Sequence, residues 1–385
     1  MISLVKDTIS EDEISQLVEW LKTSPQLTKG KLTEQYEALW SEKIGCKYSV
    51  FVNSGSSALL LSVYSLIEKG LLEKGDSVVV PALSWATDLS PVIQLGLKPV
   101  LCDCNLEDLS VDLNHLQELV EKEKPKALIL VSVLGLVPEM NEIVKFCDEN
   151  EIILIEDACE SLGSSYNGKK LGSFGLMSCF STYYGHHLST IEGGMICTDD
   201  EDIFNLLRSL RSHGWDRDMS DKHSSSLKKE FSIDNEFEAQ YKFYYLGFNL
   251  RSTDLQAFIG INQLKRFDEI VGKRNENYTF YKSVLSNSYW EPPKSTEDKY
   301  ISSFAYPVIH PNRTSIAKKL KEKNIASRPL ICGSLGRQPF WTKNYGPVSL
   351  KNADKVNDFG FYLPNNHELE KSEINYIKES IKETW

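Results

Sequence analysis

No run of apolar residues approaches the ~18–20 that a membrane-crossing helix needs. The longest, Ala127–Val137, is interrupted by Ser132 and Gly135. The opening stretch, Met1–Glu13, lacks the basic-then-apolar order of a signal peptide. Both absences set the expectation of a cytoplasmic chain with no membrane partner. Positive charge is also short. Lys and Arg number 43 against 54 Asp and Glu, a net charge of −11, which disfavours nucleic acid and anionic membranes as partners. Clustered cysteine is missing too. The 8 cysteines are scattered, and only Cys102 and Cys104 fall close together. One such pair without a second does not make a metal site. Single cysteines in apolar strands, such as Cys179 and Cys197, read as small buried hydrophobes of a reducing compartment. There is no Gly-Lys-Ser/Thr phosphate loop, no internal repeat and no low-complexity tract.

What is present is ordinary for a globular chain: 385 residues, 41% hydrophobic and 25% charged, long enough for two or three domains and a sizeable core. Residues 11–45 read as helical on both sides of a loop. From Tyr48 to Thr198, short apolar runs alternate with helical stretches. The runs are continuously apolar rather than alternating, which indicates a mostly parallel sheet covered on both faces. Residues 216–243 read as a long polar surface excursion, and residues 254–285 as one helix. From about 290 onward, short strands and helices suggest a smaller α+β unit. The expected organisation is a large domain over 1–255 and a small C-terminal domain over 256–385, with the first ~15 residues packing on the latter.

Three constellations carry chemistry. Asn53-Ser54-Gly55-Ser56-Ser57 lies between a strand and a helix, where free amides and hydroxyls suit a phosphate; a plain capped turn has the same sequence. Ile155-Glu156-Asp157-Ala158-Cys159-Glu160 closes an apolar strand, at the end where open α/β sheets bind ligands. A carboxylate there suits a protonated pyridine nitrogen, and an Asp there is equally a helix cap. The third runs from Phe180 to Gly194 and includes His186-His187 and Glu192-Gly193-Gly194. Adjacent histidines suit a general base or a metal, but no carboxylate or cysteine completes a zinc pattern.

Read together with Leu27–Gly30, Val78–Trp85, Ile155–Gly175, Arg211–Trp215, Gly247–Ser252 and Ser327–Leu330, these segments resemble one family over nearly the whole chain. It is the pyridoxal-phosphate-dependent sugar aminotransferases of the DegT/DnrJ/EryC/StrS group, with the aspartate-aminotransferase fold (fold type I). The resemblance implies that Gly55, Ser56, Ser57 and Ser181 hold the cofactor phosphate, that Trp85 stacks on the ring, that Asp157 pairs with its nitrogen, and that Glu160 lies beside it. Asn249 is implied to reach the phosphate from the second subunit of a homodimer. His213, Arg217, Arg251 and Arg328 are weaker substrate-binding candidates.

One departure matters more than the matches. Relatives place a lysine six residues before the Glu-Gly-Gly, and here that residue is His186. An imidazole has no primary amine with which to tether the cofactor, yet it remains a competent base. The His-His pair resembles the nucleotide-sugar 3-dehydratase branch. That branch implies non-covalently bound pyridoxal and pyridoxamine phosphate, L-glutamate as amino donor, and His186 as the catalytic base. The substrate is implied to be a nucleotide-linked 4-keto-6-deoxy sugar, GDP-linked and a hexose or a heptose. The products are implied to be a 4-keto-3,6-dideoxy sugar for surface polysaccharide, 2-oxoglutarate and ammonia. A related branch carries an iron–sulfur cluster and a reductase partner. Only Cys197 and Cys332 follow His186 here, too few for such a cluster. Two other readings stay open on residues alone: an aminotransferase that recruits Lys169 or Lys170, and a non-catalytic cofactor-binding or scaffold homologue.

Overall fold

A computed structural model describes residues 1–385. Helices α1 (Glu11–Lys22) and α2 (Lys31–Ile44) precede β1 (Tyr48–Val52), α3 (Gly55–Glu68), β2 (Ser77–Pro81), α4 (Ala86–Gln94), β3 (Lys98–Cys102), α5 (Leu113–Glu123), β4 (Ala127–Val131), α6 (Met140–Glu149) and β5 (Ile153–Asp157). The short strands β6 (Ser165–Tyr166) and β7 (Lys169–Lys170) lead to β8 (Met177–Ser181), β9 (Gly194–Thr198) and α7 (Glu201–Arg211). The main sheet has seven strands in the order β1-β9-β8-β5-β4-β2-β3. Only β9 runs against its neighbours. The parallel strands are joined by helices, as the crossover geometry requires.

Strand alternation divides the side chains between two layers. Val50, Val52, Cys179 and Ile196 join a large cluster with Leu59 and Leu61 of α3. Phe51, Phe180, Met195 and Cys197 join a second one with Tyr36 and Trp40 of α2. The sheet is therefore dry on both faces, which is why its strands lack polar alternation. Beneath the second layer, Arg211 is fully buried and donates to Glu37 and to the Phe51 carbonyl (2.7 Å). Breaking a pair of this kind by removing one member typically costs about 3–5 kcal/mol, because the other charge stays buried.

The remaining elements are α8 (Asp221–Glu230), α9 (Glu236–Ala239), α10 (Asp254–Lys265), α11 (Phe267–Val284), β10 (Lys299–Tyr300), β11 (Tyr306–Ile309), α12 (Arg313–Glu322), β12 (Arg328–Pro329), α13 (Pro339–Tyr345), α14 (Lys351–Phe359), β13 (Gly360–Leu363) and α15 (Lys371–Ile381). An antiparallel sheet, β11-β13-β12, carries the C-terminal helices. The first apolar cluster continues from Val50 through to Ile381, so these elements share a core with the main sheet. Ile2 bridges to Ile325, and Asn366 donates to the Ser3 carbonyl (2.9 Å), tying the N-terminal residues to the C-terminal elements.

Two segments differ from the sequence-based expectation. The polar excursion contains α8 and α9. In α8 only Leu227 is buried, so no apolar stripe announces the helix. Polar contacts hold it instead: Ser224 to Asp216 (2.6 Å) and Lys228 to Asp216 (3.4 Å). The single helix expected over 254–285 breaks at Arg266, which leaves helical geometry (φ −99°, ψ 5°). Its guanidinium donates to the Thr8 carbonyl (2.8 Å), a tertiary bond that periodicity cannot register.

Candidate active site

The C-terminal ends of β1, β2, β5 and β8 open onto one cavity of about 370 Å³. At its phosphate-sized corner, Ser54 caps α3, and its Oγ accepts the Ser57 amide (3.1 Å). That leaves the Gly55 and Ser56 amides at the helix start, where the helix dipole favours an anion. Gly55 is required there. A Cβ would stand 2.9 Å from the Ser181 Cβ and 3.1 Å from the Cys159 Sγ, so any side chain would push α3 off the end of β8. Gly194 does the same work from below, since a Cβ would fall 2.2 Å from the Ser54 carbonyl oxygen.

At the end of β5, strand alternation separates two neighbouring carboxylates. Glu156 points away from the cavity and accepts the amides of Gly172, Phe174 and Gly175 at 2.6–2.7 Å, pinning the turn before β8. Asp157 faces the cavity, and its Oδ1 accepts the Cys159 amide (2.8 Å). No helix follows, so Asp157 is not a helix cap. Trp85, 55% exposed, stands at the wall with its ring uncovered by its own chain. Glu160 accepts the Leu134 amide (2.8 Å). Burial, aided by the charge of Asp157, pushes its carboxyl up to about 8, so it is protonated at neutral pH.

The paired histidines do different jobs. His187 is fully buried, and its Nε2 lies 3.0 Å from the Ser302 carbonyl. It anchors the loop between β8 and β9. His186 is half-buried in the cavity wall, 5.3 Å from the Phe304 ring and 6.4 Å from the Tyr183 ring, centroid to centroid. Its Nδ1 is buried without a hydrogen-bond partner. Burial pulls its pKa down to about 4, against the opposing pull of Asp157, so the imidazole is neutral at pH 7. No lysine of the chain lines the cavity, and Arg328 is its one basic residue besides histidine. Lys169 is instead stacked 4.5 Å over the Phe174 ring in β7.

The cavity thus gathers Gly55, Ser56, Trp85, Asp157, Glu160, Ser181, His186 and Arg328. Ser57 turns to Ser54 and does not line it. Asn249, His213, Arg217 and Arg251 lie elsewhere. Arg251 donates to Asn249 (3.1 Å) and stands 3.5 Å from the His213 Nε2. Arg217 is sandwiched between Trp215 (4.2 Å) and Tyr241 (5.0 Å). Sequence reasoning missed Asp88, Cys159, Phe304 and Tyr362, which also line the cavity. Asp88 has a local signal, a carboxylate three residues after Trp85 at a helix start, but that spacing reads as a cap. No group of three or more His, Cys, Asp or Glu side chains is placed to hold a metal.

A helix-start anion site, a carboxylate in the same cavity and an uncovered indole together fit a flat ring with a phosphate arm and a basic ring nitrogen. The fold is that of the fold-type-I pyridoxal-phosphate proteins. Residues 8–382 match the DegT/DnrJ/EryC1/StrS aminotransferase family, and the chain belongs to it. Within that family it is similar to the GDP-4-keto-6-deoxy-D-mannose 3-dehydratase of Escherichia coli O55:H7, with 33% identity over 369 residues, covering 93% of this chain and 94% of that one. It superposes on a crystal structure of GDP-4-keto-6-deoxymannose-3-dehydratase with a trapped PLP-glutamate geminal diamine (TM-score 0.89, 31% identity, 99% of this chain and 100% of that one). It superposes equally on the E. coli enzyme with bound hydrated PLP (TM-score 0.88, 31% identity, 99% of each chain). No helix is long and apolar enough to cross a membrane.

Proposed function

We propose that the chain is a pyridoxal/pyridoxamine-phosphate-dependent 3-dehydratase of a GDP-linked 4-keto-6-deoxy sugar, with L-glutamate as amino donor. The products are a 4-keto-3,6-dideoxy sugar, 2-oxoglutarate and ammonia. The observation that carries this reading is a neutral imidazole, His186, in the wall of a cavity lined by no lysine. When bound, the cofactor supplies an amine that engages a ketone and a ring that accepts an electron pair. The Gly55 and Ser56 amides and the Ser181 hydroxyl would hold its phosphate, Asp157 its ring nitrogen, and Trp85 one ring face. Glu160, protonated, presents a hydrogen-bond donor beside the ring. His186 would take the proton from the cofactor's C4′ carbon as general base, and His186 or a bound water would protonate the C3 hydroxyl, which leaves as water. A lysine there would tether the cofactor and favour amino transfer.

The reading is tested by incubating the protein with GDP-4-keto-6-deoxymannose, glutamate and the cofactor, then following ammonia and the sugar by mass spectrometry. A 3-deoxy ketosugar with free ammonia is expected. An amino sugar without ammonia would sink the dehydratase reading in favour of a transaminase.

The same reading includes a homodimer with shared sites. Leu246 is 81% exposed and Tyr241 is 71% exposed; Tyr241 lies under Arg217, which stacks on Trp215 beside the Asn249–Arg251–His213 cluster outside the cavity. Apolar surface of this kind next to polar groups marks an interface. Asn249 would then reach the phosphate of the second subunit. Light scattering is expected to give a dimer, and Asn249→Ala is expected to weaken cofactor binding about tenfold, the size of one lost charge-assisted hydrogen bond. A monomer with full cofactor affinity would contradict it.

A further inference from the structure

Asp88 is the third residue of α4, and its side chain is fully buried. Its Oδ2 accepts the Trp85 amide (3.1 Å) and the Ser84 hydroxyl. Its Oδ1 is buried with no donor, and the carboxyl lies beside that of Asp157 in the lining of the same cavity. Asp157 already takes the Cys159 amide on Oδ1. Two carboxylates in contact cannot both be ionised, so one of them carries a proton. No cation faces Asp88 to resolve the contact as an ion pair. Its other titratable neighbours are the thiols of Cys159, Cys179 and Cys332, all pushed up by burial and neutral.

We propose that Asp88 is a positioning residue: as a neutral carboxylic acid it donates its O–H to the Asp157 carboxylate and so sets that carboxylate's orientation toward the cofactor's ring nitrogen. Burial and the charge of Asp157 hold the Asp88 carboxyl well above the usual carboxylate range, which puts the proton on Asp88. Asp157 is then held from two sides, by the Cys159 amide and the Asp88 hydroxyl, with its remaining lone pairs free for the cavity. The same Asp88 carboxyl fixes the Trp85 amide, so the indole that would cover the ring and the carboxylate that would bind its nitrogen share one support.

The inference rests on the cofactor reading, and its test separates the two. Because His186 forms no tether, pyridoxamine 5′-phosphate and its 1-deaza analogue, in which a carbon replaces the ring nitrogen, both bind at equilibrium. Their affinities are measured by tryptophan quenching for the full chain and for Asp88→Ala and Asp88→Asn. Asp88→Ala is expected to weaken pyridoxamine phosphate about tenfold or more while leaving the deaza analogue within about twofold. Asp88→Asn has an amide that supplies the same donor and acceptor, and it is expected to bind pyridoxamine phosphate within about threefold of the parent. Should Asp88→Ala not fold, Asp88→Asn decides: a loss of about tenfold would overturn the proposal, because a neutral donor would then be insufficient. Equal losses for both ligands in Asp88→Ala would reduce Asp88 to a purely structural role and overturn it as well. So would unchanged affinity. A parent chain that binds neither ligand would remove the cofactor reading itself, and this inference with it.

Discussion

Replacement of His186 by alanine is expected to lower kcat for dehydration by about 10²–10⁴-fold, the span of a lost general acid–base group. Affinity for pyridoxamine phosphate should stay near that of the parent. The two effects separate because the imidazole contributes a proton-transfer site and no covalent anchor. Its environment is arranged for that role. Phe304 and Tyr183 flank the ring, and burial holds it neutral down to about pH 4. The neutral form accepts the proton, so the acid limb of kcat/KM should lie near pH 4 rather than near the ~6.5 of a solvated imidazole. The fold itself responds in the same direction. His186 and His187 both have folded-state pKa values below the unfolded one. As pH falls below ~6.5 the unfolded chain takes up protons that the folded chain refuses, so stability declines toward pH 4 and is regained as pH rises. A His186→Ala protein that turns over at the parent rate would remove the residue from the chemistry.

The sequence made some of these placements readable and hid others, for physical reasons. The end of β5 was readable as a ligand-facing strand end because the apolar run Ile153–Ile155 marks the strand, and the strand's period of two puts Glu156 and Asp157 on opposite faces. The anion site at Gly55 was readable because caps and glycines act within one turn of chain. His186 and His187 are identical as letters. What distinguishes them is that one imidazole meets the Ser302 carbonyl and the other meets the cavity, and Ser302 is remote in sequence. Asp88 was hidden for the same reason: its cap to Trp85 is local, while its contact with Asp157 exists only after β2 and β5 are aligned in one sheet. Helix α8 escaped notice because polar contacts to Asp216, rather than an apolar stripe, hold it. Asn249, His213 and Arg251 were readable as a motif, but the single chain does not bring them to the cavity.

Replacement of His186 by lysine should produce the opposite loss from alanine: the cofactor becomes covalently held while dehydration fails. The reasoning starts from the same burial that depresses the histidine. A lysine ammonium in that position would be desolvated and would face Arg274, whose charge already acts against protonation of His186. Its pKa should fall, leaving a share of neutral amine, the form that attacks a carbonyl. The Asp157 charge opposes this shift but does not cancel it for the imidazole, where the net movement is downward to about 4. No other lysine lines the cavity to compete. Borohydride treatment of the pyridoxal-phosphate-loaded variant should therefore fix the cofactor on residue 186, as read by peptide mass, whereas the parent chain should gain no mass. Ammonia release should drop by about 10²-fold or more, since a tethered amine no longer leaves the site free for the base that drives elimination. If the lysine variant stays untethered and dehydrates at the parent rate, residue 186 does not decide between the two chemistries, and the argument from its identity falls.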